Sequence, residues 1–251
     1  IFWELTSISS FFLIGFNNDS TESRRASRIA LAITGGGGLL LMVGVLLIGY
    51  LGQSFSIIEL TDMSDVLRSG TLYGWILLLV FAGAFSKSAQ FPLHFWLPGA
   101  MKAPTPVSTY LHSATMVKAG VYLLARLSPV LGDHDYWNTT LIIVGSVTMV
   151  YAAVHAIFRT DMKSILAYST ISALGMMVFL IGLGTRNALL ALAVFIVVHA
   201  LYKATLFLVT GAVDYRTGSR DVTKVSGLGR VMLPVAIAGV LAGISNAGLP
   251  P

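Results

Sequence analysis

Residues 85–98 read FSKSAQFPLHFWLP, and this stretch decides the class of fold. It closes an apolar run that begins at residue 71, places Lys87 inside that run, and then places Pro92 and Pro98 directly after it. A proline lacks a backbone donor and breaks a helix. Inside a bilayer, broken backbone is tolerated only where it is buried in protein or lines a wet cavity. The stretch therefore predicts a membrane helix that carries a buried lysine and ends at a functional position.

The composition of the chain agrees with a membrane protein. Hydrophobic residues make up 55% and charged residues 11%, and the mean hydropathy is +0.81. Soluble domains carry about 25% charged residues, so we predict an all-α polytopic membrane protein. The net charge of +5 is spread thinly over loops and does not indicate a nucleic-acid partner. With no cysteine in the sequence, the chain has no thiolate for an iron–sulfur cluster. We expect no cofactor and no metal site.

Apolar segments repeat along the whole chain, and most are near the ~20 residues that a membrane helix needs. We predict one transmembrane domain over residues 1–251, as a fragment of a longer protein. Eight segments are predicted, at residues 1–16, 29–52, 71–91, 107–127, 138–158, 163–184, 187–213 and 231–249. The mixed stretch 54–69 predicts an interfacial amphipathic turn or a short helix.

Two of the predicted segments run into helix breaks. The third meets the prolines of the opening stretch, and the eighth meets the sequence NAGLPP at residues 246–251. Interrupted helices in corresponding positions point to a transporter site between inverted repeats. Residues 1–127 would then form most of the first repeat and residues 138–251 most of the second.

The distribution of basic residues predicts the orientation in the membrane. Of the 16 basic residues, ten lie in connections on one side, three on the other and three within the segments. The ten are Arg24, Arg25, Arg28, Lys102, Arg159, Lys163, Arg216, Arg220, Lys224 and Arg230. Cytoplasmic loops carry the excess of Lys and Arg. We therefore expect the Arg24 loop and the 216–230 loop to be cytoplasmic, the 133–135 loop to be outside, and the membrane to be the bacterial plasma membrane.

Three lysines, Lys87, Lys118 and Lys203, lie about mid-way along apolar runs. A charge at the centre of a membrane helix costs roughly 2.5–3.5 kcal/mol on insertion scales, and such residues mark ion or proton paths. Glu4 is the one acid in the first segment, and Lys87, which carries the opposite charge, is its expected partner. The alternatives are that Glu4 lies near the outer interface, or that the two residues form only a structural ion pair.

Two histidines accompany these lysines. His112, Thr115 and Lys118 recur every three residues, which predicts a polar stripe along one side of a helix. His199 and Lys203 are four residues apart and would share one face. Histidine titrates near physiological pH and can relay protons. A packing hydrogen bond is the alternative for His112.

Other polar or glycine residues have simpler interpretations. His155 is expected at the membrane interface, and His94 fits a structural and a functional role equally well. Lys163 stands beside Asp161 and is expected to snorkel to the interface. The four glycines at residues 35–38 lie in a span with no following Lys-Ser/Thr, so they indicate close helix packing and not a phosphate loop.

The opening stretch resembles the seventh-helix signature of the antiporter-like subunits of respiratory complex I and Mrp-type Na+/H+ antiporters. APTPVS at 103–108 and HSATMVKAG at 112–120 are similar to the next helix of that family. TDMKSILAYST at 160–170 and HALYKA at 199–204 look like its tenth and eleventh helices. WELTSISS at 3–10 looks most like the large A subunit of Mrp antiporters.

The resemblance implies an antiporter-like fold with inverted repeats and a proton path through the same residues. Glu4 and Lys87 would be the paired charges of the first half, with Lys118 and His112 linking toward the second. His199 and Lys203 would form the central site of the second half. The implied protein is a secondary transporter subunit, not an enzyme, with other antiporter-complex subunits as partners and protons and Na+ as the ions.

Two alternatives to this interpretation stay open. The first is a proton-pumping membrane subunit of a redox complex, such as NADH–quinone oxidoreductase or a membrane-bound hydrogenase. The second is a structural membrane scaffold whose charges only fasten helices together. A Na+ site favours carboxylate and carbonyl oxygens. Since Glu4 is the one acid within the predicted spans, we expect Na+ to pass elsewhere in the complex.

Overall fold

A computed structural model describes residues 1–113 and 115–249, and the regular secondary structure of these residues is helical. The helices are α1 (Phe2–Ile14), α2 (Thr21–Gly52), α3 (Ile57–Asp62), α4 (Ser64–Ser69), α5 (Tyr73–Lys87), α6 (Trp96–Gly99), α7 (Thr105–Ser113), α8 (Met116–Leu131), α9 (Asp135–Ile157), α10 (Met162–Gly182), α11 (Arg186–Thr217), α12 (Leu228–Val231) and α13 (Leu233–Asn246). Within the described residues, α2, α9, α10 and α11 are each long and apolar enough to cross a membrane, as is the run of α7 and α8 taken together, and α1, α5 and α13 are shorter apolar helices. The predicted all-α membrane fold is confirmed.

Several helices begin at polar residues that cap them. The side chain of Ser20 accepts a hydrogen bond from Ser23 N at the start of α2. Asp161 does the same for Ser164 N at the start of α10, at 2.8 Å. Such side chains satisfy backbone donors that have no partner within the helix. The caps explain why these helices begin where they do.

The break predicted after the third segment is present. Helix α5 ends at Lys87, and Ala89 adopts a left-handed backbone conformation with φ +49°. Trp96 Nε1 donates to the carbonyl of Ser86 at 2.9 Å, and Gln90 N donates to the carbonyl of Phe85 at 3.0 Å. The carbonyls of Phe85 and Ser86 at the end of α5 are thus satisfied from the following loop and from the start of α6, as a helix end within a membrane protein requires.

The fourth segment, predicted as one helix over 107–127, is interrupted in the structure. Helix α7 ends at Ser113 and α8 begins at Met116, with Thr115 in a non-helical conformation. Thr115 Oγ1 donates to the carbonyl of Tyr110, and Lys118 Nζ donates to the carbonyl of Ser113. These side chains bind carbonyls at the break. Residue 114 lies outside the described residues. The prediction of one continuous stripe through His112, Thr115 and Lys118 is therefore wrong.

The remaining segments follow the sequence closely. Stretch 54–69 forms two short helices, α3 and α4, so the short-helix alternative is confirmed. Helix α13 ends at Asn246, and Gly248 has φ +72°. Pro250 and Pro251, on which the second predicted break partly depends, lie outside the described residues.

The helices pack side by side in a continuous series. Helix α2 packs between α1 and α5, α8 packs on α5 and α10, and α10 packs between α9 and α11. Helix α7 packs on α11, and so does α13. The interrupted fourth segment thus sends α8 toward α5 and α7 toward α11. This connection positions the candidate site.

Glycines allow the closest helix contacts. A Cβ atom added to Gly145 on α9 would lie 2.7 Å from the carbonyl oxygen of Gly175 on α10, and one added to Gly175 would lie 2.8 Å from that of Gly145. On the α2–α5 contact, a Cβ at Gly83 would lie 2.9 Å from the carbonyl oxygen of Gly37. Small residues of this kind let membrane helices approach closely. Of the glycines at 35–38, the close-packing prediction is confirmed for Gly37, whose added Cβ would collide with Ser86 on α5.

Loops that were predicted to share one side of the membrane touch each other. Lys102 Nζ lies 2.5 Å from Glu22 Oε2, which joins the loop after α6 to the start of α2. Met162 N donates to the carbonyl of Arg220 at 2.9 Å, which joins the loops before α10 and after α11. In the second of these loops, hydrogen bonds from the hydroxyl and N–H of Thr223 hold the pKa of the Asp221 carboxyl below its ordinary value.

The loops predicted for the opposite side also meet. Tyr73 at the start of α5 donates its hydroxyl hydrogen to the carbonyl of Leu131 at 2.6 Å. Arg68 donates to the carbonyl of Pro129 at 3.0 Å. The grouping of loops into two faces, which was derived from charge, therefore agrees with their contacts.

Candidate functional site

Lys87 is fully buried at the end of α5 and reaches across to α1. Its Nζ donates to the carbonyl of Trp3 at 3.1 Å and to Ser7 Oγ at 2.5 Å. It also lies 5.3 Å from the centroid of the Trp3 ring, a cation–π distance. The helix break places the ammonium at this position, because α5 stops at the lysine itself.

Glu4 lies between the two residues that hold Lys87, yet the two charges form no salt bridge. The ion pairs found among residues 1–113 and 115–249 do not include Glu4. Its charge still acts on Lys87. The Oε1 atom of Glu4 is buried and has no hydrogen-bond partner in the described part of the chain. Glu4 and Lys87 therefore interact through their charges but do not form a direct contact.

Lys203 and His199 lie one turn apart on α11, and both are fully buried. Lys203 Nζ donates to Ser169 Oγ on α10 at 2.5 Å and lies 5.7 Å from the Tyr202 ring centroid. The His199 ring packs edge-on against Tyr202, with centroids 5.3 Å apart. The predicted shared environment of His199 and Lys203 is present.

Lys118 and His112 approach α11 from the two halves of the interrupted segment. Lys118, 6% exposed, donates to the carbonyl of Ile196 at 3.0 Å. His112, fully buried, stacks on Phe207 with ring centroids 5.7 Å apart. At 1.5 Å per residue, residues 196 and 207 are separated by roughly 16 Å along a helix. The two contacts therefore bracket His199 and Lys203, which lie between them on α11.

Each of the two histidines is influenced by the charges of two lysines. The charges of Lys203 and Lys118 both act on the His199 ring, and those of Lys163 and Lys203 both act on the His112 ring. Neither ring nitrogen of either histidine has a hydrogen-bond partner among the residues that the structure describes. A neutral imidazole offers one donor and one acceptor. Each neutral ring therefore leaves a donor and an acceptor unused among the described residues.

Lys163 belongs to the site, contrary to the prediction that it snorkels to the interface. It is 2% exposed, and its Nζ donates to the carbonyl of Ala103 at 3.0 Å. Its place next to Asp161 suggested a loop residue. A signal was nonetheless present in the sequence, because the spacing of Lys163, Ala167, Thr170 and Leu174 puts them on one helical face. The structure buries all four.

Gln90 is a second residue that the sequence did not single out. It is fully buried three positions after Lys87, and its Nε2 donates to the carbonyl of Ser88 at 3.0 Å. Its Oε1 has no hydrogen-bond partner within residues 1–113 and 115–249. A buried amide with an open acceptor thus lies in the loop directly after α5.

His94 and His155 pack in an aromatic column apart from these lysines. The His94 ring lies 4.7 Å from that of Tyr151, and Tyr151 lies 4.0 Å from His155, between ring centroids. His155 also stacks on Tyr168 at 5.7 Å. These contacts favour the structural interpretation of His94.

Acidic and histidine residues do not gather elsewhere in the described helices and loops. Over those residues, no group of three or more His, Cys, Asp or Glu side chains could hold a metal ion. The candidate site is thus a series of buried lysines and histidines that runs from α1 and α5 through α8 to α11, α7 and α10.

Comparison with known proteins identifies the family of the chain. Residues 1–251 match the family described as "NADH:quinone oxidoreductase/Mrp antiporter, TM". The chain belongs to this family. The whole chain is 47% identical over 250 residues to the A/B subunit of a probable K(+)/H(+) antiporter of Rhizobium meliloti (strain 1021), covering 25% of that protein. It is 42% identical over 262 residues to the A subunit of the Na(+)/H(+) antiporter of Bacillus subtilis (strain 168), covering 33% of it.

Two solved structures carry the same fold. A chain in the structure of the Mrp complex from Dietzia sp. DQ12-45-1b superposes with a TM-score of 0.88 at 41% identity, over 99% of this chain and 27% of that one. A chain of the archaeal membrane-bound sulfane sulfur reductase superposes with a TM-score of 0.87 at 28% identity, over 99% and 51%. The antiporter-like chain thus spans about a quarter to a third of the curated relatives that it matches.

Proposed function

We propose that this chain is the proton-translocating part of an antiporter-like subunit in a multisubunit Na+/H+ antiporter. One observation carries the proposal: Lys87, Lys118 and Lys203 are buried, and within the described residues all their hydrogen bonds go to carbonyl or hydroxyl oxygens. The salt bridges of the described residues involve none of the three. Charges that only fastened helices together would pair with carboxylates, so the scaffold alternative is disfavoured.

Hydroxyl partners suit a lysine that changes its protonation state. A serine hydroxyl accepts a hydrogen bond from an ammonium and can rotate to donate to a neutral amine. Ser7 serves Lys87 in this way and Ser169 serves Lys203. A carboxylate partner would instead hold the lysine in its charged form. The environment of both lysines therefore supports proton uptake and release, as buried lysines readily allow.

The order of the groups supports a stepwise path. Glu4 and Lys87 would act in the first half, and Lys118 would pass the proton to His199 and Lys203 on α11. His112 would connect Lys203 with Lys163 near the start of α10, since both charges act on its ring. Between Lys87 and Lys118, Gly120 lets α8 approach α5, because an added Cβ would collide with the carbonyl of Ala84.

The repeat organisation is part of the same proposal. We place most of the first repeat in residues 1–127 and most of the second in residues 138–251. Helices α1, α2 and α5 pack in series in the first, and α9, α10, α11 and α13 pack in series in the second. The interrupted segment of α7 and α8 would carry the proton between the repeats, because it contacts both.

We propose the other subunits of a cation/H+ antiporter complex as partners. Relatives are named for Na+ and for K+, so the family alone does not fix the cation. Apart from Glu4, the acids in the described residues lie in loops, in short helices or near helix ends. Hard cations favour oxygen ligands, and we therefore propose that Na+ passes elsewhere in the complex.

The proposed location is the bacterial plasma membrane, with the Arg24 loop and the 216–230 loop in the cytoplasm. The charge bias supports the orientation. The contacts of Lys102 with Glu22 and of Met162 with Arg220 support the grouping of these loops on one face.

The test uses everted membrane vesicles that carry the full-length protein and its partners. A pH-sensitive dye reports proton movement when NaCl or KCl is added. We expect a cation-evoked signal in the wild type, its loss in Lys87→Ala, and no change in the exposed control Lys224→Ala. A second variant, Lys87→Met, keeps a long apolar side chain and removes only the ammonium. It separates loss of the charge from loss of packing. A full signal from an assembled Lys87→Met complex would contradict the proposal.

A redox-pump role is the second candidate, and the likeness to the archaeal respiratory complex favours it. The same vesicles decide between the two. No response of the wild type to either cation, together with co-purifying electron-transfer proteins, would support the redox pump. A cation response without such proteins would support the antiporter.

A further inference from the structure

Glycines on α2 face the carboxylate of Glu4. A Cβ atom added to Gly38 would collide with Glu4 Oε1 and lie 2.8 Å from Glu4 Cδ. A Cβ added to Gly35, one turn earlier, would lie 3.5 Å from Glu4 Oε2. Both carboxylate oxygens therefore rest on the bare backbone of one face of α2, and a side chain at position 38 has room only if the carboxylate moves.

The two glycines between them have other surroundings. Nothing lies within 4 Å of a Cβ added to Gly36, and one added to Gly37 would meet Ser86 on α5. General helix packing would explain Gly37 but not Gly38, whose nearest neighbours are the carboxylate of Glu4 and Trp3 Cδ1, the latter at 2.9 Å. The four glycines thus divide into a packing position, an open position and two that bear on Glu4.

The position of this carboxylate matters because it acts on Lys87 without touching it. Lys87 is held by the carbonyl of Trp3 and the hydroxyl of Ser7, which lie on either side of Glu4 along α1. Glu4 Oε1 is buried, and no hydrogen bond within residues 1–113 and 115–249 fixes it. Shape alone therefore sets where its charge lies relative to the ammonium.

We propose that Gly38, with Gly35, is a positioning residue that seats the Glu4 carboxylate at a fixed place beside Lys87. This positioning role adds detail to the proposed proton path and depends on it. A larger residue at Gly38 would push the carboxylate away from α2 and change its distance to Lys87. Since Coulomb energy depends on that distance, the coupling between the two groups would change even though neither is replaced.

The primary experiment compares Gly38→Ala with Gly36→Ala in the full-length protein with its partners, by the dye assay in everted vesicles. We expect Gly38→Ala to lower the cation-evoked rate about tenfold, as small displacements of reacting groups do. We expect Gly36→Ala to match the wild type. Gly37→Ala should lower the amount of assembled complex and leave the rate per complex nearer to wild type. Equal rates for Gly38→Ala and Gly36→Ala would overturn the proposal.

A rescue separates positioning from damage to the fold. Aspartate is one methylene shorter than glutamate, so Glu4→Asp with Gly38→Ala withdraws the carboxylate from the new methyl group. We expect this double variant to be faster than Gly38→Ala alone and to return the pH profile toward that of Glu4→Asp. Glu4→Gln with Gly38→Ala should be no slower than Glu4→Gln alone, because the two changes act on one interaction. If the losses of transport rate were additive in both double variants, Gly38 would not position the Glu4 carboxylate.

The controls also tell this failure from failure of the proton path. If Glu4→Gln and Lys87→Met lower the rate but Gly38→Ala does not, the seat is wrong and the path stands. If Glu4→Gln and Lys87→Met leave the rate unchanged, both the proposed proton path and the positioning role of Gly38 are wrong.

Discussion

The ammonium of Lys203 on α11 donates a hydrogen bond to the hydroxyl of Ser169 on α10, with 2.5 Å between the two atoms. The same hydroxyl donates to the carbonyl of Leu166 at 3.0 Å. It can therefore accept from a charged lysine and, after rotation, donate to a neutral one. The pair joins two helices at the centre of the proposed second half, where the lysine is fully buried.

The first prediction concerns this hydroxyl. Ser169→Ala removes the acceptor and leaves the ammonium with one partner fewer, and hydrogen bonds to charged groups are worth about 1.5–3 kcal/mol. We expect the cation-evoked rate in vesicles to fall about tenfold, at unchanged amount of complex. Ser169→Thr, which keeps the hydroxyl, should retain most of the rate.

Ser172 provides the matched control, since it lies on the same helix and donates to the carbonyl of Met149 at 3.0 Å. Ser172→Ala removes a hydroxyl of the same size without touching Lys203. A loss in Ser172→Ala as large as that in Ser169→Ala would show that the effect comes from helix packing and not from the lysine.

The second prediction concerns Lys163, which the structure adds to the series. Lys163→Gln keeps a donor for the carbonyl of Ala103 but removes the charge that acts on His112. We expect a loss of at least about fivefold in the transport rate, with assembly near the wild-type level. The control is Lys224→Gln in the exposed loop after α11. If both variants transport at the wild-type rate, Lys163 is only a structural residue.

The third prediction tests the glycine contact between α9 and α10. Gly175→Val would press a branched side chain onto Met149 N and the carbonyl of Gly145, both within 2.8 Å of an added Cβ. Overpacking typically costs about 1–3 kcal/mol. We expect less folded protein and a lower melting temperature in detergent. Gly74→Ala, whose added Cβ would have nothing within 4 Å, is the control. An unchanged melting temperature in Gly175→Val would refute the role of this contact.

The sequence predicted the end of α5 well because its signals are local. Pro92 and Pro98 exclude a continuing helix, and Lys87 stands before them inside an apolar run. The structure ends α5 at Lys87 and buries the ammonium. The sequence predicted that Lys87 pairs with a residue of α1, namely Glu4. It did not predict the atoms that bind Lys87, because a backbone carbonyl such as that of Trp3 cannot be recognised in a sequence.

The break at Thr115 could not be predicted in the same way. The nearest prolines, Pro106 and Pro129, lie well away from it. The break is accompanied by side-chain contacts instead, from Thr115 to the carbonyl of Tyr110 and from Lys118 to that of Ser113. Tertiary interactions of this kind override local propensity. Spacing along an assumed helix therefore put His112 and Lys118 on one face, whereas they approach α11 at separate points.

The fourth prediction concerns the clamp around Arg220, by which we mean the contacts that hold the loop before α10 against the loop after α11. Its Nε lies 3.3 Å from Asp161 Oδ1 and 3.9 Å from Asp214 Oδ2, and Val222 N donates to the carbonyl of Thr160 at 3.0 Å. These side chains are more than one-third exposed, so solvent screening limits each pair to about 0–1 kcal/mol. We expect Arg220→Ala to leave the melting temperature nearly unchanged.

Local opening is the sensitive measure of that clamp. Losing the guanidinium should free the two loops from each other, so the amides of Met162 and Val222 should exchange hydrogen faster while those of the α9–α10 core do not. Added salt should produce a smaller version of the same change in the wild type, because partly exposed ion pairs are screened. Arg216→Ala, at an exposed position near the end of α11, is the control. Equal exchange at Met162 in the two variants would mean that the backbone hydrogen bonds hold these loops without the arginine.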